Sequence, residues 1–289
     1  MSIFVNKNTK VLCQGITGTQ ATFHIRRSLN YGTQVVSGVT PGKGGSMHLG
    51  LPVFNTVKEA VRETGANASV MYVPAPYVKS AVREAAESEL DLVVCIADSV
   101  PVKDMLEINH MLAGSKTRLI GPNTPGIITP GEVCLGTLPG NIHTPGNIGI
   151  VSRSSTLTYE AVIQTGKAGL GQSTVLVLGD DMLIGVDFVE ALKRFHEDEQ
   201  TKAIVFLGRL GGTFEEAAAQ YYKSLEHKKP VIGFVAGNAI PFGHKMGYAG
   251  DVITKGYIST QDKKDIMEDA GMIVVDNIND ISRELEKLA

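Results

Sequence analysis

Residues 149–161, GIVSRSSTLTYEA, hold the pattern around which the chain is organised. A buried strand over Ile148–Val151 runs into a hydroxyl-rich turn at Ser152–Ser155, and a helix starts near Thr156. A helix start leaves backbone N–H groups without intrahelical acceptors and carries the positive end of the helix dipole. Ser154, Ser155 and Thr156 can therefore cradle an anion, phosphate first among them. Three small hydroxyl residues are also ordinary caps, and the stretch by itself fits both readings equally.

Downstream, strand-like runs at Ser173–Leu178, Ala203–Leu207, Val231–Val235 and Met272–Val275 alternate with helical spacing. The helices are expected at Thr156–Lys167, Phe188–Glu197, Glu215–Leu225, Lys263–Ala270 and Ile278–Leu288. Upstream the same alternation holds, with strands at Val11–Cys13, Val35–Ser37, Ala68–Val73, Leu92–Ile96 and Arg118–Ile120. Between them, Thr22–Asn30, Val57–Thr64, Val78–Ser88 and Lys103–Leu112 read as helices. Strands alternating with helices predict an α/β chain with parallel sheets covered on both faces. The pattern pauses at 121–145, GPNTPGIITPGEVCLGTLPGNIHTP, which holds five of the 12 prolines and reads as a connector. The expected organisation is a first domain over 1–121, a connector over 122–146 and a second domain over 147–289. A prior of about 150 residues per domain agrees with two domains in 289 residues.

With 27 basic and 30 acidic residues the net charge is −3, and no long basic block occurs, which disfavours nucleic acid and anionic membranes as partners. No apolar run reaches membrane-spanning length, and MSIFVNKNTK lacks the apolar core of a signal peptide, so a cytoplasmic location is expected. Cys13, Cys95 and Cys134 show no CxxC pairing and read as packing residues in a reducing compartment. The remaining histidines, His110, His143, His196 and His227, lack metal-ligand spacing, and no metal site is expected. Asp180-Asp181 reads as a solvated turn.

The first domain opens on Lys10–Ala21, KVLCQGITGTQA, a strand followed by glycines at Gly15 and Gly18 and a helix. This is a dinucleotide-type phosphate turn. A nicotinamide site would need an acid at the end of the second strand. Here Val35–Val39 runs into Thr40-Pro-Gly-Lys43-Gly-Gly45, with a cation in that place, which fits a nucleotide bearing extra phosphate. A solvated lysine in a turn is the plainer alternative.

The segments QGITGTQ at 14–20, GVTPGKGG at 38–45, HLGLPVFNTVKEA at 48–60, VPAP at 73–76, GPNTPG at 121–126, ITPGE at 128–132 and VSRSSTLTYEA at 151–161 resemble the α subunit of succinyl-CoA synthetase, the ADP- or GDP-forming succinate–CoA ligase. The likeness runs nearly end to end. It implies an N-terminal Rossmann-like CoA-binding domain and a C-terminal flavodoxin-like domain. It also implies a hetero-oligomer with a β-type ATP-grasp subunit that binds ATP or GTP with Mg²⁺. By resemblance, Thr17, Gly18, Thr19, Gln20, Lys43, Ile96, Ala97 and Asp98 would hold CoA, Val73 and Pro74 would line its path, and Tyr159 would approach the acid substrate. His24 and His48 also follow the family's pattern and read as structural or CoA-proximal.

The same comparison exposes four departures. The family's phosphate-carrying histidine lies in a segment similar to RMGHAG, and here the chain reads Lys245-Met-Gly-Tyr248-Ala-Gly250. A phenol with a pKa of about 10 is a poor phosphate shuttle at neutral pH, so the usual phosphohistidine route should be closed. Gly208-Arg209 stands where the family has Gly-Glu, Ser154-Ser155-Thr156 where it has Ser-Gly-Thr, and Gly179-Asp180-Asp181 where it has Gly-Gly-Asp. Arg209 would pair with an anion, since guanidinium binds oxyanions bidentately. Ser154, Ser155 and Thr156 would cradle phosphate or acyl phosphate, and Tyr248 would at most donate a hydrogen bond. His244, four residues before Tyr248, could reach the same site as a substitute carrier, but a solvated loop histidine is the plainer reading. Three readings stay open: an acid–CoA ligase subunit that works without the histidine on succinate or another small acid such as sulfoacetate, a non-catalytic CoA-binding subunit, and a transferase or lyase on the same scaffold.

Overall fold

The computed structural model describes residues 3–237 and 259–288. It forms two compact units, built mainly from Phe4–Gly140 with Leu183–Val186, and from Asn141–Met182 with Asp187–Ala289.

In the first unit the order is β1 (Val11–Gln14), α1 (Thr19–Tyr31), β2 (Val35–Val39), β3 (Met47–His48), β4 (Leu51–Phe54), α2 (Val57–Thr64), β5 (Ala68–Met71), α3 (Ala75–Glu87), β6 (Leu92–Cys95), α4 (Val102–Leu112) and β7 (Arg118–Ile120). The sheet runs β3-β4-β2-β1-β5-β6-β7, parallel except for the short β3. Leaving β3 aside, this is the Rossmann strand order, with the chain reversing direction across the sheet beside β1. Strands β1, β5 and β6 are buried along their whole length, as expected of parallel strands covered on both faces. Their continuous apolar runs are what made them legible in the sequence. Helix α2 starts where its sequence says it should. Thr56 accepts from the Glu59 amide, and Glu59 reaches back to the Thr56 amide, a capping box. Leu183–Val186 bonds back onto this unit, with the Val186 amide donating to the Leu119 carbonyl on edge strand β7 at 2.7 Å.

The stretch expected to be a connector is more structured than its proline content implied. It contains a fully buried antiparallel hairpin, β8 (Gly126–Thr129) and β9 (Val133–Gly136), turned through Pro130-Gly131-Glu132. Thr33 fastens it, accepting from the Cys134 amide at 3.0 Å and donating to the Cys134 carbonyl at 3.2 Å. The three cysteines are free and buried. Burial pushes the Cys134 thiol up to about 12 and raises Cys13 further, so both thiols serve packing and not nucleophilic chemistry.

In the second unit the order is β10 (Pro145–Ser152), α5 (Ser155–Lys167), β11 (Gln172–Val177), α6 (Phe188–Glu197), β12 (Ala203–Arg209), α7 (Phe214–Ser224), β13 (Val231–Ala236), α8 (Thr260–Asp269), β14 (Ile273–Val274) and α9 (Asp280–Glu286). These strands run β14-β13-β12-β10-β11, all parallel, which is the flavodoxin-like order. Phe188 of α6 stacks on Phe206 of β12 with centroids 4.1 Å apart. Gly149 in β10 has no room for a side chain, because a Cβ there would lie 2.6 Å from the Phe195 ring. Among the described residues, no helix is long and apolar enough to cross a membrane.

Candidate functional site

Each sheet has a point where the strand order reverses, and in open α/β sheets ligands bind outside the carboxyl ends of the strands at that point. In the first unit the carboxyl ends of β1, β2, β5 and β6 carry the residues expected to hold CoA. Gly15 follows β1 with φ +83°, and a Cβ there would sit 2.7 Å from the Tyr72 carbonyl oxygen and 3.3 Å from Val73. The absence of that Cβ lets the turns after β1 and β5 meet. Thr17 to Gln20 lead into α1, whose cap residue Gly18 has no side chain to bond the first amides, and the first turn holds no acid. An uncapped helix start of this kind is a phosphate site in waiting.

Lys43 reaches the same corner. Its Nζ donates to Thr17 Oγ1 at 3.2 Å, and Thr17 in turn bonds Thr40 Oγ1 at 3.3 Å. The glycine loop around Lys43 is held by Asn55, whose Oδ1 accepts from the amides of Gly42 and Gly44, both at 2.9 Å. His48 joins through its Nε2, 2.8 Å from Thr22 Oγ1 on α1. Val73 is partly buried against the core, while Pro74 is exposed at the head of α3. Ile96, Ala97 and Asp98 follow β6, with the Ala97 carbonyl accepting from the Asn123 amide at 2.7 Å and Asp98 exposed. His24 stacks flat on Tyr72 with centroids 5.8 Å apart. Burial, assisted by Arg27, lowers its pKa and favours the neutral ring. A glycine turn, an uncapped helix start and an exposed lysine fit a ligand bearing several phosphates, as CoA does.

In the second unit the reversal lies beside β10; Ser154, Ser155 and Thr156 follow β10, the Asp180-Asp181 turn follows β11, and Arg209 is the last residue of β12. Of the two readings of the hydroxyl turn, Ser154 takes the capping one. It is the N-cap of α5 and accepts from the Leu157 amide at 3.4 Å, with its Oγ also 3.4 Å from Thr156 Oγ1. Ser155 and Thr156 occupy the first two helical positions, whose amides have no intrahelical acceptor. Tyr159 lies one turn into α5 and is partly buried.

Arg209 is buried at 6 % exposure and forms an ion pair through Nη1 with Oδ1 of Asp180. The expectation of a solvated Asp180 is thereby corrected: a buried guanidinium requires a counter-charge, and Asp180 supplies it. Tyr248 and His244 lie outside the described residues.

Two further features escaped the sequence reading. Arg153, read as part of a turn, is buried, lies over the Phe214 ring at 4.7 Å and donates to the Asp181 carbonyl at 3.2 Å. Lys263 on α8 is wholly buried between Glu215 at 2.8 Å and Glu216 at 3.0 Å, and also donates to the Gly212 carbonyl at 2.9 Å. Glu215 uses its other oxygen to accept from the Arg209 amide at 3.0 Å, so this cluster fixes the end of β12. The Glu pair at the head of α7 looks in sequence like solvated helix-start acids. The one available signal was an unbroken Glu-Glu facing a Lys-Lys at the head of the next helix.

Comparison with known proteins finds a family match in each unit. The CoA binding domain family matches residues 6–99, and the CoA-ligase family matches residues 151–280. The chain is 50 % identical over 285 residues to the succinate–CoA ligase [ADP-forming] subunit alpha of Staphylococcus epidermidis, covering 99 % of this chain and 94 % of that one. The Staphylococcus aureus subunit of the same name is 50 % identical over 272 residues, covering 94 % and 90 %. Among solved structures, the ATP citrate lyase of Methanothrix soehngenii in complex with citrate and coenzyme A superposes with a TM-score of 0.88 at 23 % identity. That match covers 99 % of this chain and 50 % of the lyase chain, and it speaks to the fold. Half-identity along nearly the whole length, with both family matches in order, makes this chain a member of the succinate–CoA ligase alpha-subunit family.

Proposed function

We propose that this chain is the alpha-type subunit of an ADP- or GDP-forming acid–CoA ligase that joins a small carboxylic acid to CoA by a route without a phosphohistidine. The observation that carries the reading is the gathering of Ser154, Ser155, Thr156 and Arg209 at the strand-order reversal of the second sheet, in a chain half-identical to ligase subunits. Thr17, Gly18, Thr19, Gln20, Lys43, Val73, Pro74, Ile96, Ala97 and Asp98 hold CoA, with the α1 amides and Lys43 neutralising its phosphates. Residues 1–121 form the CoA-binding domain, 122–146 the connecting segment and 147–289 the ligase domain. A β-type ATP-grasp partner in a hetero-oligomer supplies ATP or GTP with Mg²⁺.

At the second site the first amides of α5 and the hydroxyls of Ser154, Ser155 and Thr156 stabilise negative charge that builds on the phosphoryl or acyl phosphate. Tyr159 approaches the acid, and Arg209 recognises an anionic group. Tyr248, in place of the family's histidine, contributes a hydrogen bond and carries no phosphate. Phosphoryl transfer then passes from nucleotide to the acid without a protein-bound carrier on this chain. A small acid with two anionic groups, succinate or a sulfonate such as sulfoacetate, matches a site with an added guanidinium.

The test is to incubate the complex of this chain and its β-type partner with γ-labelled ATP, CoA and a panel of such acids, following acyl-CoA by mass and label on protein. Acyl-CoA forming while the chain stays unlabelled is the expected result. Stoichiometric labelling of this chain would overturn the carrier-free route.

A further inference from the structure

Arg209 lies two residues beyond Leu207, and Asp180 three beyond Val177, and both Leu207 and Val177 pair with Ser152 at the end of β10. The ion pair therefore spans the strand that leads into the hydroxyl turn and α5. Its two members are held differently. Arg209 closes the β12 ladder, and its amide is fixed by Glu215, itself clamped by Lys263. Asp180 sits in the irregular segment between β11 and α6, outside any ladder or helix. The side chains are 7 % and 15 % exposed, so the carboxylate is also the more accessible partner. Losing Asp180 without a replacement would remove a counter-charge from a buried guanidinium, which is unfavourable. Exchanging it for another oxyanion would leave the guanidinium paired throughout.

We infer that Asp180 is a built-in counter-ion that a doubly anionic acid displaces from Arg209, making the pair a specificity device. The inference rests on the ligase reading above. One anionic group of the acid is consumed in forming the acyl bond, and the second takes the place of the Asp180 carboxylate. A monoanionic acid has no second group to exchange, and Asp180 keeps the guanidinium from it. When a binding-competent form is populated only in part, apparent affinity falls by that fraction, so Asp180 engaged for about nine-tenths of the time weakens the dianion about tenfold.

Calorimetric titration of the full chain with succinate, with the monoanion butyrate and with CoA tests this in the wild type, Asp180→Asn, Asp180→Ser and Arg209→Gln. Both Asp180 variants should bind succinate about tenfold more tightly with butyrate unchanged. Arg209→Gln should lose the preference for succinate; CoA affinity should hold in the first unit, and the urea midpoint of the second unit's transition reports that each variant is folded there. Succinate affinity unchanged in the Asp180 variants, or falling as it does in Arg209→Gln, overturns the exchange. Acid-dependent ADP release by the wild-type complex separates this from the ligase reading: release alongside a failed exchange removes only the counter-ion role, while no release removes the reading itself.

Discussion

In the first unit the chain leaves β1 through Gly15 and Gly18 into α1 with no side-chain cap on the first amides, and Lys43 stands exposed beside them. In the second unit it leaves β10 through Arg153 and Ser154 into α5, with Ser154 already on the Leu157 amide and Arg209 already on Asp180. The same strand–turn–helix corner at the same kind of topological position is thus finished in opposite ways. One corner presents unpaired positive groups to a polyanion that brings its own charge. The other already engages its cap and its guanidinium internally, and a ligand there has to compete for the guanidinium. Affinity is expected to reside at the first corner and selectivity at the second.

The sharpest break in that contrast comes from the support beneath the second corner. Lys263→Met leaves Glu215 and Glu216 buried without their cation and should destabilise the second unit by about 3–5 kcal/mol, read from the urea midpoint of its transition. CoA affinity in the first unit should be kept. At the first corner, Lys43→Ala removes a charge-assisted contact of about 1.5–3 kcal/mol, which predicts CoA binding about ten- to a hundredfold weaker and less sensitive to salt. Gly15→Ala forces a side chain into φ +83° against the Tyr72 carbonyl. A strain of about 1–3 kcal/mol should appear as lost first-unit stability together with weaker CoA binding. Ser154→Ala makes the second corner resemble the first by removing its cap, at about 1 kcal/mol of stability by thermal melting.

The smallest effect is in pH. Burial lowers the pKa of His24 in the first unit and, with Lys229 adding to it, of His196 in the second. A histidine whose folded pKa lies below its unfolded value of about 6.5 takes up a proton on unfolding, so stability is full above that pH and declines as pH falls through the window down to the folded value. His24→Gln should flatten the acid limb for the first unit and His196→Gln for the second, each measured as midpoint against pH.

Much of this was legible because parallel strands buried on both faces write continuous apolar runs, as in Leu92–Cys95 and Ala68–Met71. The hairpin of β8 and β9 was hidden by the glycines and prolines that shape it, which read as punctuation between domains. The glycine turn after β1 was legible because the spacing of Gly15 and Gly18 along the chain is itself the turn. At the second corner the hydroxyl turn and Arg209 were picked out, but the pairing of Arg209 with Asp180 was not. Asp180 and Arg209 are 29 positions apart and meet only because β11 and β12 flank β10, and sequence spacing carries no strand order. The roles of Arg153 and Lys263 went unread for a related reason. A charged residue looks solvated until the fold brings a ring or a carboxylate to it, as Phe214 and Glu215 are brought here.

The most direct test of a ligase that works without a carrier at position 248 is ADP release by the complex of this chain with a β-type ATP-grasp subunit, given ATP, CoA and small acids, with wild type and Tyr248→Phe side by side. Acid-dependent release that persists in Tyr248→Phe is the predicted result. Release abolished by that substitution, or absent with every acid while CoA still binds, would contradict it.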